Sequence, residues 1–199
     1  SSLFYSNVDC VLNKNAKLDL YDITLPSQWT RHNLNVDLLD VGAETNLRGL
    51  YLNHKDYFCD HHTNINHFSK HTQSYEDYRG LLSGSSKAVF NGKINIVEKA
   101  FKSNSELINK NLMLSNSCDV NTKPELTIDN DDVKAAHGAT VGRLDSDQEF
   151  YLTSRGLDHR QSKNFLSRAF AFESIREDAA LDFLQKDIQN SLDQLVGEL

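Results

Sequence analysis

Residues 88–97 read AVFNGKINIV, a stretch that alternates apolar with polar side chains as a strand with one buried face does. The pattern recurs, a few residues at a time, in LDLYDI (18–23), LNVDLLD (34–40), LRGLYL (47–52), NLMLSN (111–116) and ELTIDN (125–130). Between these runs stand Asn, Asp, Ser and Gly, and not the long amphipathic segments of a fold built from crossover helices. Many short strands suit either a sandwich or a solenoid of stacked parallel rungs. The Asn91-Gly92 hairpin signal has few companions, and asparagine-rich corners with aliphatic runs favour the solenoid while leaving the sandwich open.

The period changes after Asp145. Ser146 with Glu149 resembles a capping box, Gly156 is a helix stop, and Asp158 with Gln161 caps a second helix whose apolar side includes Phe165, Leu166, Ala169 and Phe170. Leu181, Leu184, Ile188, Leu192, Leu195 and Leu199 then recur at three- and four-residue steps, one face of an amphipathic helix. Residues 173–199 carry seven acids against two bases, so the apolar stripe suits either packing on the preceding helix or docking of a partner. The chain is therefore read as a mainly β part over residues 1–145 and a small C-terminal helical domain over 146–199.

Composition narrows the function. With 39% hydrophobic and 25% charged residues the chain is globular and not disordered. A net charge of −7 without a dense Lys/Arg cluster argues against nucleic acid as a partner. No apolar run nears the ~20 residues of a membrane span, and no basic-then-apolar leader opens the chain. Cys10, Cys59 and Cys118 form no C-x-x-C pair and cannot all pair internally, as expected of reduced thiols in a cytoplasmic protein. The chain opens at Ser1 with Met113 as its one methionine, so it is expected to be part of a longer protein, cut short at the N-terminus.

Two places could carry chemistry. AAHGATVGRLD (135–145) sets His137 at the junction of the two regimes, where its glycines and small residues are expected to let the last rungs close. Imidazole is a borderline ligand that suits iron, yet a lone histidine near a strand is more often structural. CDHHTNINHFSKH (59–71) offers His61, His62, His67 and His71. On a helix His67 and His71 would share a face and could hold zinc, but the Thr-Asn-Ile-Asn setting favours strand and corner, where His61 and His62 point to opposite faces. Asp60, His62 and Ser69 make a triad on paper only, since no G-x-S-x-G elbow accompanies them. There is no phosphate-binding G-x-x-x-x-G-K-[ST] loop, and three scattered cysteines cannot hold a stable iron–sulfur cluster.

VFNGKINIV (89–97), NKNLMLSNSCDVNTKPELTIDNDDVKAAHGATVGRLD (109–145) and FYLTSRGL (150–157) closely resemble the C-terminal half of the SufB/SufD family of iron–sulfur cluster assembly scaffolds. The similarity is continuous from about Leu47 to Ile175, and HGATVG in place of HEA points to the SufD side of the family. The resemblance implies a right-handed parallel β-helix with helical flanks, a non-catalytic scaffold subunit, and a complex with SufB and the ATPase SufC. It further implies that SufB pairs with the last rungs, that SufC docks on the helices, and that His137 helps hold transient iron or a nascent cluster shared with SufB. No cofactor would be permanently bound, and an isolated chain could form a homodimer.

The chain also departs from the family pattern. Ala135 stands where a cysteine is often found, Asn121 replaces an aspartate in what reads as a rung corner, and the 23–47 stretch looks one rung short. Two rival readings remain: a polysaccharide-acting β-helix enzyme, whose site would cluster Asp, Arg or Lys on one outer face, and a stand-alone metal binder using His62, His67 and His71.

Overall fold

In the computed structural model, which describes residues 2–175 and 181–197, ten strands precede three helices. The strands are β1 (Leu3–Leu12), β2 (Lys17–Thr24), β3 (Trp29–Leu38), β4 (Glu44–Asn53), β5 (Phe58–His67), β6 (Gln73–Leu82), β7 (Lys87–Ile96), β8 (Asn104–Met113), β9 (Asp119–Ile128) and β10 (Lys134–Gly142). Odd strands pair with odd and even with even, in two five-stranded sheets ordered β1-β3-β5-β7-β9 and β10-β8-β6-β4-β2. Every pairing is parallel. Each coil of chain therefore lays one strand on each sheet and then climbs one rung, which makes a solenoid and excludes the sandwich.

Leu3 faces Trp29, Trp29 faces Phe58, Phe58 faces Lys87 and Lys87 faces Asp119, so a turn takes 26 residues at first, then 29 twice, then 32. Stacking is unbroken through residues 23–47, where β3 pairs along its whole length with both β1 and β5. The corners between strands turn through left-handed residues, among them Asn15, Lys55, His71 and Lys102 with φ near +57° and Gly42 and Gly84 at +72° and +62°. Asn91-Gly92 is no turn at all. It lies inside β7, where Gly92 is an inward position with the Leu107 side chain against its backbone.

Strand periodicity sends alternate residues into the space between the sheets. Val36, Ile65 and Ile94 stack there in register, as do Leu38, His67 and Ile96, in a core that also takes Leu47, Tyr51, Tyr78, Phe90 and Leu107. Several of the asparagines that suggested corners face outward along the strands and bond to an acid one rung away. Asn35 donates to Asp9 at 2.7 Å, Asn46 to Asp19 at 2.7 Å and Asn66 to Asp37 at 2.8 Å, each pair being direct register partners. Asn121 likewise lies on β9 opposite Val89, not in a corner.

The helices are α1 (Ser146–Ser154), α2 (His159–Phe172) and α3 (Asp182–Gly197). Asp145, and not Ser146, caps α1, accepting from the backbone N–H of Asp147 and Gln148. Gly156, at φ +99°, stops that helix, with its N–H on Thr153 O and that of Leu157 on Leu152 O. Asp158 and Gln161 form the expected capping box on α2.

The second and third helices cover the outer face of the even sheet. Leu50, Leu52, Leu81 and Leu112 of the strands share a cluster with Ala171, Ile175, Leu181, Ile188, Leu192 and Leu195. The leucine stripe of α3 is thus spent on packing and is not a free docking face (Leu199 lies outside the described residues). On α2 the packed side is Ser162, Ser167 and Ala171, while Phe165 and Ala169 face solvent. Arg79, buried on β6, ties sheet to helix by donating to the Phe170 carbonyl at 3.3 Å and pairing with Glu173. No helix among the described residues is long and apolar enough to cross a membrane.

Candidate functional site

The solenoid leaves an open edge at its last rung, because β10 pairs with β8 alone. Register places His137 beside Leu107, Leu107 beside Glu76, and Glu76 beside Leu47. Those three side chains are fully buried between the sheets, whereas His137 is exposed, since no further rung covers it. His137 is therefore the outermost member of an inward-facing column, an imidazole at the mouth of the core. Ala135, two residues back on the same face, packs partly against that core and offers no ligand atom. Gly138 and Gly142 have open space where a Cβ would stand, so closure of the rung does not depend on them.

Of the other histidines named from the sequence, His62, His67 and His71 do not converge. His67 is buried, and its two ring nitrogens meet the hydroxyls of Thr72 at 2.8 Å and Ser74 at 2.9 Å. Burial holds its pKa down to about 4, so the ring is neutral and already fully bonded. His62 lies on the opposite, outer face, 2.9 Å from Asp60, which also pairs with Arg31. His71 sits in a corner at φ +58°. A single ion cannot reach His62, His67 and His71 together in this arrangement. Ser69 lies in the corner beyond β5, away from the Asp60–His62 pair on the strand.

The histidines that do meet are His61, one of those the 59–71 stretch offered, and His32, which local spacing missed. His61 points inward, as the opposite-face rule required for its neighbour, and is 1% exposed. Its register partner is His32, and the two rings stack with centroids 5.1 Å apart and planes at 20°. Across the interior, Asp22 of β2 sets Oδ1 3.3 Å from His32 Nδ1 and Oδ2 3.5 Å from His61 Nδ1. Among the described residues these three form the one group of His, Cys, Asp or Glu side chains whose ligand atoms converge, all within 4.8 Å of one another.

The surroundings hold this group in place. Tyr78 donates its hydroxyl to Asp22 Oδ2 at 3.1 Å, and Thr24 Oγ1 lies 3.4 Å from His32 Nε2. Burial pushes the Asp22 carboxyl upward, but His61, His32 and the Tyr78 hydroxyl outweigh it and hold the group below the usual carboxylate range. Burial also lowers the pKa of His32, against the pull of Asp22. The Tyr51 ring stacks on His61 at 4.9 Å, and its hydroxyl enters a buried network with Asn109, Asn111 and, through Asn109, Thr122. The signal that could have found the group is the 29-residue rung, since His32 and His61 are one turn apart.

Comparison with known proteins bears on the whole chain. The family described as "SUF system FeS cluster assembly, SufBD core domain" matches residues 1–170. The iron–sulfur cluster assembly protein SufD of Escherichia coli is 34% identical over 169 residues, which is 85% of this chain and 40% of that protein. A SufBD family protein of Synechocystis is 34% identical over 80% of this chain and 35% of its own length, and SufD of Bacillus subtilis is 36% identical over 58% of this chain. The chain thus spans less than half the length of these relatives. A parallel solenoid matched almost end to end by the family's core domain, with SufD proteins among its relatives, places this chain in the SufB/SufD family of iron–sulfur cluster assembly proteins, as a SufD-like member.

Proposed function

We propose that the chain is a non-catalytic scaffold subunit of an iron–sulfur cluster assembly complex, using the open β9/β10 end as its seam with SufB. The observation that carries this reading is the position of His137, inward-facing yet uncovered on an edge strand with one side unpaired. An open edge of backbone donors and acceptors favours a partner strand, and Ile128 and Val141 add exposed apolar surface at that end. A partner seated there would bring its own ligands to the imidazole, which with no thiol at position 135 has to share iron or a nascent cluster across the seam. The helices supply the second surface. Phe150, Tyr151, Phe165 and Phe183 are exposed aromatics on α1, α2 and α3, suited to docking the ATPase SufC.

The test is co-purification of the chain with SufB and SufC, with iron and sulfide measured on the isolated complex. His137→Ala is expected to leave the complex intact and abolish most of the cluster signal, while Phe150→Asp with Phe183→Asp is expected to release SufC alone. An intact complex with a full cluster load in His137→Ala would overturn the role given to that residue.

A further inference from the structure

We propose that Asp22, His32 and His61 form a binding site for one divalent transition-metal ion of the zinc or ferrous class, inside the solenoid and independent of His137. This inference does not rest on the scaffold reading. Asp22 lies on β2 and His137 on β10, the opposite edge strands of the same sheet.

The distances fit a metal better than a hydrogen bond. Zinc bonds nitrogen and oxygen at about 2.0–2.1 Å in a tetrahedron, so its ligand atoms stand about 3.3–3.4 Å apart. Each imidazole Nδ1 stands about that far from one Asp22 oxygen, His32 3.3 Å from Oδ1 and His61 3.5 Å from Oδ2, and one ligand atom from each of the three residues lies within 4.8 Å of the others. The two Asp22–imidazole separations are long for N–H···O bonds, whose usual range ends near ~3.2 Å. His61 supplies the independent sign: it is 1% exposed, and neither of its ring nitrogens has a hydrogen-bond partner. Each such orphan is destabilising in a dry interior. A cation between the two Nδ1 atoms and the carboxylate satisfies one of them and balances the buried anion.

The outer contacts suit ligation as well. Tyr78 helps orient the Asp22 carboxylate by donating to Oδ2. Thr24 engages His32 at Nε2, which leaves Nδ1 for the metal. Two imidazoles and one carboxylate select borderline transition metals over calcium or magnesium, which prefer oxygen ligands throughout. Three protein ligands leave a fourth position. The His32 side chain is 19% exposed, so the site is reached from the first-rung side, where the Phe4 ring lies 5.2 Å from it.

The experiment uses the whole chain, stripped with chelator and titrated with Co²⁺ alone, reading the d–d bands of low-coordinate cobalt and the melting temperature. The expected result is one equivalent bound, displaced by Zn²⁺, with the melt raised by the ion. Asp22→Asn and His32→Gln should each weaken binding by at least about tenfold, in line with the loss of a ligand or its support, while His137→Ala leaves it unchanged. Melting of each variant in chelator reports its folding separately. Failure of the wild-type chain to bind Co²⁺ would overturn the proposal whatever the variants do. So would binding unaffected by Asp22→Asn and His32→Gln together in a folded double variant, or binding lost with His137→Ala.

Discussion

Replacing Glu76 by glutamine should stabilise the protein in alkaline solution and not in acid. Glu76 is fully buried between Leu47 and Leu107 in the inward column, and neither carboxyl oxygen has a hydrogen-bond partner. Burial pushes its pKa from the ordinary 4.5 up to about 7. The Thr63 hydroxyl, close but outside good bonding geometry, pulls the other way, and the Asp22 charge adds to the rise. Below pH 4.5 the group is protonated whether the chain is folded or not. Between 4.5 and 7 the folded chain keeps a proton that the unfolded chain releases, so stability falls as pH rises. Above 7 the loss is complete, at about 3 kcal/mol for a shift of this size. Glu76→Gln removes that slope. Its melting temperature relative to wild type should climb by roughly 6–12 °C between pH 4.5 and pH 8, measured by circular dichroism in chelator. A difference that stays constant with pH would show that Glu76 is not the buried acid described.

His67 should shape the opposite limb. Its pKa is held by burial near 4, against an ordinary 6.5, so the unfolded chain takes up a proton first as the solution is acidified. Up to about 3 kcal/mol of stability is lost between pH 6.5 and pH 4, and His67→Gln should flatten that loss in urea unfolding. An unchanged acid limb would refute this. Gly80→Ala would place a Cβ 2.2 Å from Tyr51 Cε2 and 2.4 Å from Asn111 Oδ1. It should cost about 3 kcal/mol, the upper end for an overpacked core, and a melt within about 2 °C of wild type would show the packing to be looser than drawn.

Alternation found the strands whose outer face meets water, such as β7, and the caps of α2 were plain in Asp158 and Gln161. β6 was less legible. Its sequence QSYEDYRGLL buries Asp77, Arg79 and Leu81 beneath the helices and Ser74, Glu76 and Tyr78 in the core, so both faces are covered and the period disappears. The same packing explains why Phe165 is exposed: the small side chains of Ser162, Ser167 and Ala171 bring α2 close, and the larger ring is turned away. The Asp22–His32–His61 group was hidden for a different reason. Its members meet through the stacking of rungs and across the interior, distances that no window of local sequence contains. His137 was singled out through family resemblance, and its place at the mouth of the column came only with the register.

The interior also carries a code for which strand lies next to which. β4 reads Gly49-Leu50-Tyr51 where β6 reads Tyr78-Arg79-Gly80, and each tyrosine ring fills the space above the other strand's glycine. A Cβ at Gly49 would stand 2.0 Å from the Tyr78 ring. A β4 stacked in register on a second β4 would set glycine against glycine and ring against ring, as would β6 on a second β6, and the fit of each ring over a glycine would be lost. Parallel rungs of near-equal length are prone to slip by a whole turn or to trade strands with a neighbouring molecule. Here one reciprocal pair of residues favours β4 beside β6 at the centre of the solenoid over either strand beside a copy of itself, a preference that the outermost rungs do not carry in this form.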